Sequence, residues 1–595
     1  MPRRKHALAL ALAASVGLGS LLAASPAKAD DKYALGVFHF NIQYVAGGMV
    51  GYFSVPDPNL DLTAEQIEDN IVTESFEPVL ELYQKHPTWG VDIELQGYFL
   101  DVLAARHQST LDLLRTLAKS GQIDVLSFHY SDQLFVAHPY EDWSRSQART
   151  AATFAKYDIP LGKSVFCQEG QSGEVMAKEM KARGYQTMIW PKNLFFFQHQ
   201  DAASEPLYRF GDIQLVLGGQ GLTASGIDVE WTYFDDGEIM ATGGIDPYFA
   251  DVFKKSDDAV AKYEAGVASL EQQGYQVTTV AKYAAAVGQK VTPADPPSLL
   301  DGTWQPNSTD SVHRWLGEGG LWFKDERDND VRTIADVAHR EIAAAEAIAA
   351  KAGLDATAEI DAAERLLSLG EVSDATGINP FRGEVEYGLA HMAEATRIAR
   401  DVIRDAKEKL ALGGESVAID PSKGTAAKGE VTELRGKAIE PPMKLTLQAD
   451  DRAITEAWEQ ISPSLTRVQL DFAAGDAASA MATFPGAMDD ALVTTRALDD
   501  QSPATYSRSS FTFESMFLPL PMGLVGLGNG QFLIQDQAYV HLGAQIFREK
   551  GDVAFDDETQ TVDEAVTWVF YVFTGSPEDA VAMARSINDQ RAVSR

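Results

Sequence analysis

The sequence predicts an α/β chain in three parts: a parallel sheet or barrel, an α-helical bundle packed on it, and a β-sandwich-like C-terminal domain. Three observations predict it. From Tyr33 to Val280, short apolar runs alternate with helical patterns, and strand-helix-strand order builds parallel sheets. From Val331 to Leu410, helical periodicity dominates. Beyond Val431, short alternating segments return without long helical runs between them. A chain of 595 residues is too long for one core, and composition places the boundaries. These are a leader at 1–29, the α/β domain at 30–292, the helical domain at 293–411, a linker at 412–430 and the β-rich domain at 431–595.

The leader has a basic start, Arg3-Arg4-Lys5, an Ala/Leu-rich run to Leu22, and Ala27-Lys28-Ala29 before Asp30. That is the pattern of a cleaved signal peptide, so an exported, periplasmic or extracellular protein is expected. Tyr33 to Phe38 reads as a buried strand ending at His39, with Asn41 just beyond. Ala64–Lys85 is helical, Val91–Leu95 is a strand carrying Glu94, and Phe99–Lys119 is one amphipathic helix. Ile123–Phe128 is a strand ending at His129. A helix at Ser144–Tyr157 leads to the strand Ser164–Cys167, which delivers Glu169 before Gly170 and Gly173. After the helix Gly173–Arg183 come the strands Gln186–Trp190 and Ile213–Leu217, and then DVEWTYFDDGE, with carboxylates at Asp235, Asp236 and Glu238. The helix Pro247–Gln273 and the strand Val277–Val280 close the domain. Helices at Val331–Ala352, Ala356–Leu369 and Glu384–Leu410 form the bundle. Strands are expected at Lys444–Gln448, Leu465–Asp471, Ser509–Phe513 and Thr567–Phe573.

Acidic residues outnumber basic ones by 86 to 50 and the formal charge is −36. Nucleic acid and anionic membrane surfaces are therefore poor partners, and no membrane contact beyond export is expected. The single cysteine, Cys167, excludes an intramolecular disulfide and reads as a small buried residue. HExxH, GxSxG and Walker motifs are missing. Asp235-Asp236-Gly237 is similar to the metal-binding Asp-Asp-Gly of polysaccharide deacetylases, but the paired histidines of that family do not follow. His39, His129 and Asp236 form the competing metal-site reading.

Strand ends of parallel α/β domains are where chemistry sits. Glu169 and Asp236 both occupy such ends, and Trp190, Trp231 and Tyr233 are close to one or other of them in sequence. Two carboxylates in different surroundings, with aromatic surface for a sugar ring, are what glycoside cleavage needs.

The motif order resembles glycoside hydrolase family 57. GVFHFNIQY (Gly36–Tyr44) looks like its first motif, GQIDVLSFHYSDQL (Gly121–Leu134) its second, FCQEGQSGE its third and FDDGE (Phe234–Glu238) its fourth. Asp374 looks like the acid contributed by the helical region. The resemblance spans Tyr33 to Leu410 and implies an incomplete (β/α)7 barrel and retaining action on α-glycosides without a cofactor. It implies Glu169 as nucleophile and Asp236 as general acid/base, with His39, Asn41, Glu94, His129, Trp190, Trp231 and Asp374 as substrate contacts. Phe40-Asn41 replaces the Gln-Pro of the first motif and Phe166-Cys167-Gln168 replaces Trp-Leu before the glutamate, so an altered sugar specificity is expected. The α-mannosidases of family 38 begin with a zinc-binding His-x-Asp, and Asn41 stands at that aspartate's place. The alternatives are a metal-dependent deacetylase or α-mannosidase-like hydrolase, or a non-catalytic carbohydrate-binding envelope protein.

Overall fold

The structure, a computed structural model, describes residues 32–43, 63–242 apart from 220 and 222–225, 255–304, 328–375, 382–412 and, with short breaks, 417–588. The expected signal peptide lies outside these residues.

Two sheets carry the α/β domain. The first has the order β3 (Ile123–Leu126), β2 (Val91–Leu95), β1 (Lys32–Phe40), β8 (Asp228–Asp236), with β9 (Gln276–Val277) also paired to β1, and all its pairings are parallel. The second runs β4 (Ser164–Val165), β5 (Thr187–Pro191), β7 (Ile213–Gly218), with β6 (Tyr208–Phe210) added antiparallel at its edge. Strands buried on both faces need nearly continuous apolar runs. Accordingly, every residue of β1 after Lys32 is buried. One hydrophobic cluster draws Leu35 and Val37 from β1, Leu126 from β3, Ile189 from β5 and Val216 from β7, so both sheets face one interior.

A bulge phases the site. β1 pairs with β8 from Lys32 with Asp228, but the register slips between Leu35 and Gly36, where Thr232 is skipped and donates its hydroxyl to Leu35 O at 2.9 Å. Only glycine fits opposite it, because a Cβ on Gly36 would sit 2.8 Å from Thr232 Oγ1. The extra residue brings Asp236, rather than Asp235, opposite His39.

The helices Asp328–Ala352, Thr357–Gly370 and Arg382–Lys409 pack together through small side chains such as Ala335, Ala338 and Ala395. Beyond them, an eight-stranded and a five-stranded antiparallel sheet share a core that includes Val468, Phe484, Phe555 and Trp568. Thr512 donates its backbone N–H to Gln198 O at 2.9 Å, tying this region to the α/β domain. Among the described residues no helix is long and apolar enough to cross a membrane.

Several elements differ from expectation. The helix Phe99–Lys119 is two helices, Gly97–Arg106 and Gln108–Lys119, because His107 leaves helical geometry (φ −131°, ψ 54°) and its ring pairs with Asp69 at 2.8 Å. The strand expected at Val277–Val280 stops at Val277, since Thr279 caps a new helix, Val280–Val287. Ser256 caps the helix Asp257–Gln272, and the part of the expected helix at 247–254 lies outside the described residues. Within the linker, Val417–Asp420 and Thr425–Lys428 pair as an antiparallel hairpin. Ser509 lies in the turn Arg508–Ser510 rather than in a strand. The strand before Glu169 is also shorter than expected, ending at Val165.

Candidate functional site

After β4 the chain turns through Gln168–Gly170, and Glu169 takes the left-handed conformation (φ 53°, ψ 25°). A residue with a Cβ is strained there and needs support from its surroundings. Glu169 N–H donates to Gln168 Oε1 at 3.0 Å, and Trp304 N–H donates to Glu169 O at 3.0 Å. With its Oε1 committed to that backbone N–H, Gln168 must present its amide nitrogen to Glu169 Oε1, at 3.1 Å, and to Ser373 Oγ, at 2.6 Å. The serine hydroxyl then donates to Glu169 Oε1 at 3.2 Å, and the Trp304 indole to Oε2 at 3.0 Å. These neutral donors fit an ionised carboxylate. Glu169 itself is 5 % exposed.

Ser373 arrives from the helical region. Val372 bridges antiparallel to Gln133, Leu134 N–H donates to Glu371 O at 3.3 Å, and Ser373 N–H donates to Asp132 O at 2.6 Å. The loop after β3 and the segment that follows the helix Thr357–Gly370 therefore run side by side, and the second of them brings Ser373 to the Glu169 carboxylate. Asp374 falls in the same turn, Ser373–Ala375, and its side chain lies outside the described residues.

His39 closes β1 directly opposite Glu94 on β2. Its Nδ1 lies 2.5 Å from Glu94 Oε2, and the other carboxylate oxygen lies 2.9 Å from His129 Nε2. Burial opposes a charge on His39, but the hydrogen bond and the charge of Glu94 outweigh it and hold the imidazole well above its ordinary range, with Asp132 and Asp236 adding to the effect. Burial pushes Glu94 up, yet the two histidines hold its carboxyl below the usual range. Asn41 is buried and does not offer its side chain as a ligand: Oδ1 accepts from Gln43 N–H at 2.8 Å and from the Gln96 amide at 3.1 Å. A zinc site of the His-x-Asp type thus does not fit here. His39, His129 and Asp236 do not gather round one point either, since the two histidines sit on opposite oxygens of Glu94.

Asp236 ends β8 half-buried, its carbonyl accepting from Tyr233 OH at 2.5 Å and its N–H donating to Asp235 Oδ1 at 3.0 Å. Asp235 is exposed. Glu238, two residues on, is 1 % exposed, and burial, then the charge of Asp236, push its carboxyl well above the usual range. Asn41 N–H donates to it at 3.3 Å.

The two tryptophans expected at the site belong to the core. Trp190 is 0 % exposed and packs in the cluster of Val165, Cys167 and Leu217, because alternate residues of β5 face opposite ways and it is Ile189 that faces the inner cluster. Trp231 is 5 % exposed and packs edge-on against Phe234, with ring centres 5.1 Å apart. The aromatic residue at the site is Trp304, whose ring lies 6.0 Å from His39 and 5.6 Å from Phe166. Trp304, Ser373 and Gln168 were not among the expected site residues. Only Gln168 had a local signal, its position next to Glu169.

No protein-family model matches the chain, and no curated protein does. Solved structures do. An α-mannosidase from Enterococcus faecalis V583 matches at 10 % identity and TM-score 0.56, over 95 % of this chain and 90 % of its own. A 4-α-glucanotransferase from Thermococcus litoralis matches at 12 % identity and TM-score 0.43, over 92 % of this chain and 100 % of its own. A glycoside hydrolase family 57-type branching enzyme from Pyrococcus horikoshii matches at 12 % identity and TM-score 0.44, over 64 % of this chain and 95 % of its own. The α-mannosidase likeness shows a shared fold.

Proposed function

We propose that the chain is an exported retaining glycoside hydrolase or transglycosylase acting on an α-linked oligo- or polysaccharide. One observation carries this reading: two carboxyl groups at or past parallel strand ends occupy different surroundings, and one aromatic residue joins the first of them to His39, the cross-strand neighbour of the second. Glu169 sits among neutral donors, Asp236 sits opposite His39, and the Trp304 ring that holds Glu169 lies edge-on to His39. Two parallel sheets round one apolar interior support an incomplete (β/α)7 barrel, and the paired antiparallel sheets support a C-terminal sandwich.

In this reading Glu169 attacks the anomeric carbon and forms a glycosyl ester. Asp236 protonates the leaving oxygen, then takes a proton from the incoming water or acceptor sugar. Glu238 is buried with its carboxyl pushed well above the usual range, and Asp236 is the half-buried carboxyl assigned to exchange protons at the surface of the site. His39, Glu94 and His129 line the floor, and Asn41 shapes it through its backbone N–H.

The test is a screen of α-glucans and α-mannosides with the chain lacking residues 1–29, with Glu169→Gln and Asp236→Asn as controls. Mannosides belong in it because the fold is shared with an α-mannosidase. Cleavage with retained anomeric configuration, lost in both variants, is expected. Inversion, or full activity in Glu169→Gln, would refute the covalent route. Binding of glycans without turnover would favour the non-catalytic alternative.

A further inference from the structure

Behind His39 lies a group of side chains that the glycosidase reading uses only as a floor. Glu94, His129 and Asp132 are all 0 % exposed, and one oxygen or nitrogen of each falls within 4.8 Å of the others. His129 Nδ1 lies 2.7 Å from Ser131 O, so Nδ1 carries a hydrogen and, in the neutral ring, Nε2 carries a lone pair. That lone pair lies 2.9 Å from Glu94 Oε1.

Neither of these two atoms makes a well-aligned hydrogen bond, although the pair stands at ion-pair distance. At 2.9 Å the failure is one of alignment rather than distance, so a proton on Nε2 would not point at the carboxylate. A buried carboxylate and imidazole at that separation share a positive charge, either the proton of an imidazolium paired with Glu94 or a bound cation. Ligand atoms about 2.0–2.2 Å from one ion stand about 2.9–3.1 Å apart at the right angle of an octahedral set and about 3.3–3.6 Å apart at a tetrahedral angle, with no need for that alignment. A histidine whose Nδ1–H is held by a backbone carbonyl, leaving Nε2 to bind, is also the usual state of a metal-ligating imidazole.

We propose that Glu94 Oε1, His129 Nε2 and the Asp132 carboxylate bind one divalent cation, of the Zn²⁺ or Mn²⁺ class that accepts one imidazole and two carboxylates. The second oxygen of Asp132 is oriented by the Gln96 amide, and the second oxygen of Glu94 by His39. The ion balances the charge of two buried carboxylates and stiffens the support of His39. It is separate from the bond-making carboxyls, and the assignment stands whether or not the chain cleaves glycosides.

The experiment is calorimetric titration of the chelator-stripped chain with ZnCl₂ and, separately, MnCl₂, followed by zinc-edge anomalous scattering from soaked crystals. Uptake of one ion per chain is expected, with a peak between Glu94 and His129 and loss of uptake in His129→Ala and Asp132→Asn. A stripped wild-type chain that keeps its circular dichroism and takes up neither ion overturns the site. So does a peak only elsewhere on the acidic surface, or uptake unchanged in Asp132→Asn. Asp132→Asn is nearly isosteric and carries the variant arm if His129→Ala fails to fold, and the wild-type titration decides without either.

Discussion

Trp304 holds Glu169 twice: its indole donates to Oε2 at 3.0 Å and its backbone N–H donates to the carbonyl of the same residue at 3.0 Å. The two residues are 135 positions apart in the chain. One tryptophan thus supports both the carboxylate and the left-handed backbone that presents it.

Trp304→Phe keeps much of the ring and the backbone bond but removes the indole donor. A hydrogen bond to a charged group contributes about 1.5–3 kcal/mol, so kcat should fall about 10- to 100-fold with KM little changed. Steady-state kinetics on any cleaved glycan decide it, and an unchanged kcat would remove Trp304 from the site.

Gly170 follows Glu169 with φ 57°, and a Cβ there would lie 2.7 Å from Trp304 Cβ and 3.0 Å from Pro191 Cγ. Gly170→Ala combines backbone strain with a clash, at a cost of about 1–3 kcal/mol. Scanning calorimetry should show a lower Tm, and activity should fall at least as far as in Trp304→Phe. An unaltered Tm would show that the turn is looser than these contacts require.

Glu238 and Asp236 should respond oppositely to amide substitution. Because burial and its charged neighbour push the Glu238 carboxyl well above the usual range, toward the uncharged form that an amide mimics, Glu238→Gln should hold kcat within about tenfold. Asp236→Asn should lose about 10²- to 10⁴-fold, the usual contribution of general acid–base catalysis. Equal, large losses in both would mean that the proton donor is wrongly assigned.

The helical region is clamped to the α/β domain by a buried pair, His339 Nδ1 and Asp142 Oδ1 at 2.7 Å, with Arg145 beside it. Burial opposes the imidazolium, but Asp142 outweighs it and pushes His339 from 6.5 up to about 9. A group raised on folding stabilises fully below its unfolded value and stops doing so as pH passes its folded one. Stability should therefore fall between pH 6.5 and about 9 by at most about 3 kcal/mol. Asp142, lowered despite burial by His339, adds a separate loss on the acid side. Tm measured from pH 6 to 10 should decline more steeply for the wild type than for His339→Gln, and parallel curves would dismiss the pair.

Much of the site was legible because strand ends are written locally. His39, Glu94, His129, Glu169 and Asp236 each follow an apolar run, and all five lie at or just past the ends of parallel strands. Trp190 was misread because an unbroken apolar run such as TMIWP carries no alternation to show which face is inward. Ser373 was invisible for another reason: it sits among polar residues in a broken stretch, and its role comes from Gln168 and Glu169, more than 200 residues away.

By itself the sequence determined the succession of elements and the carboxylates at their ends, since apolar periodicity and glycine placement are short-range properties. Only the tertiary structure decided which aspartate faces His39. That choice turns on Thr232 being squeezed out opposite Gly36, a close contact between two strands nearly 200 residues apart, and it shifts every later residue of β8 by one place. A single bulge reverses which side chains face the site, and nothing local to FDDGE records it.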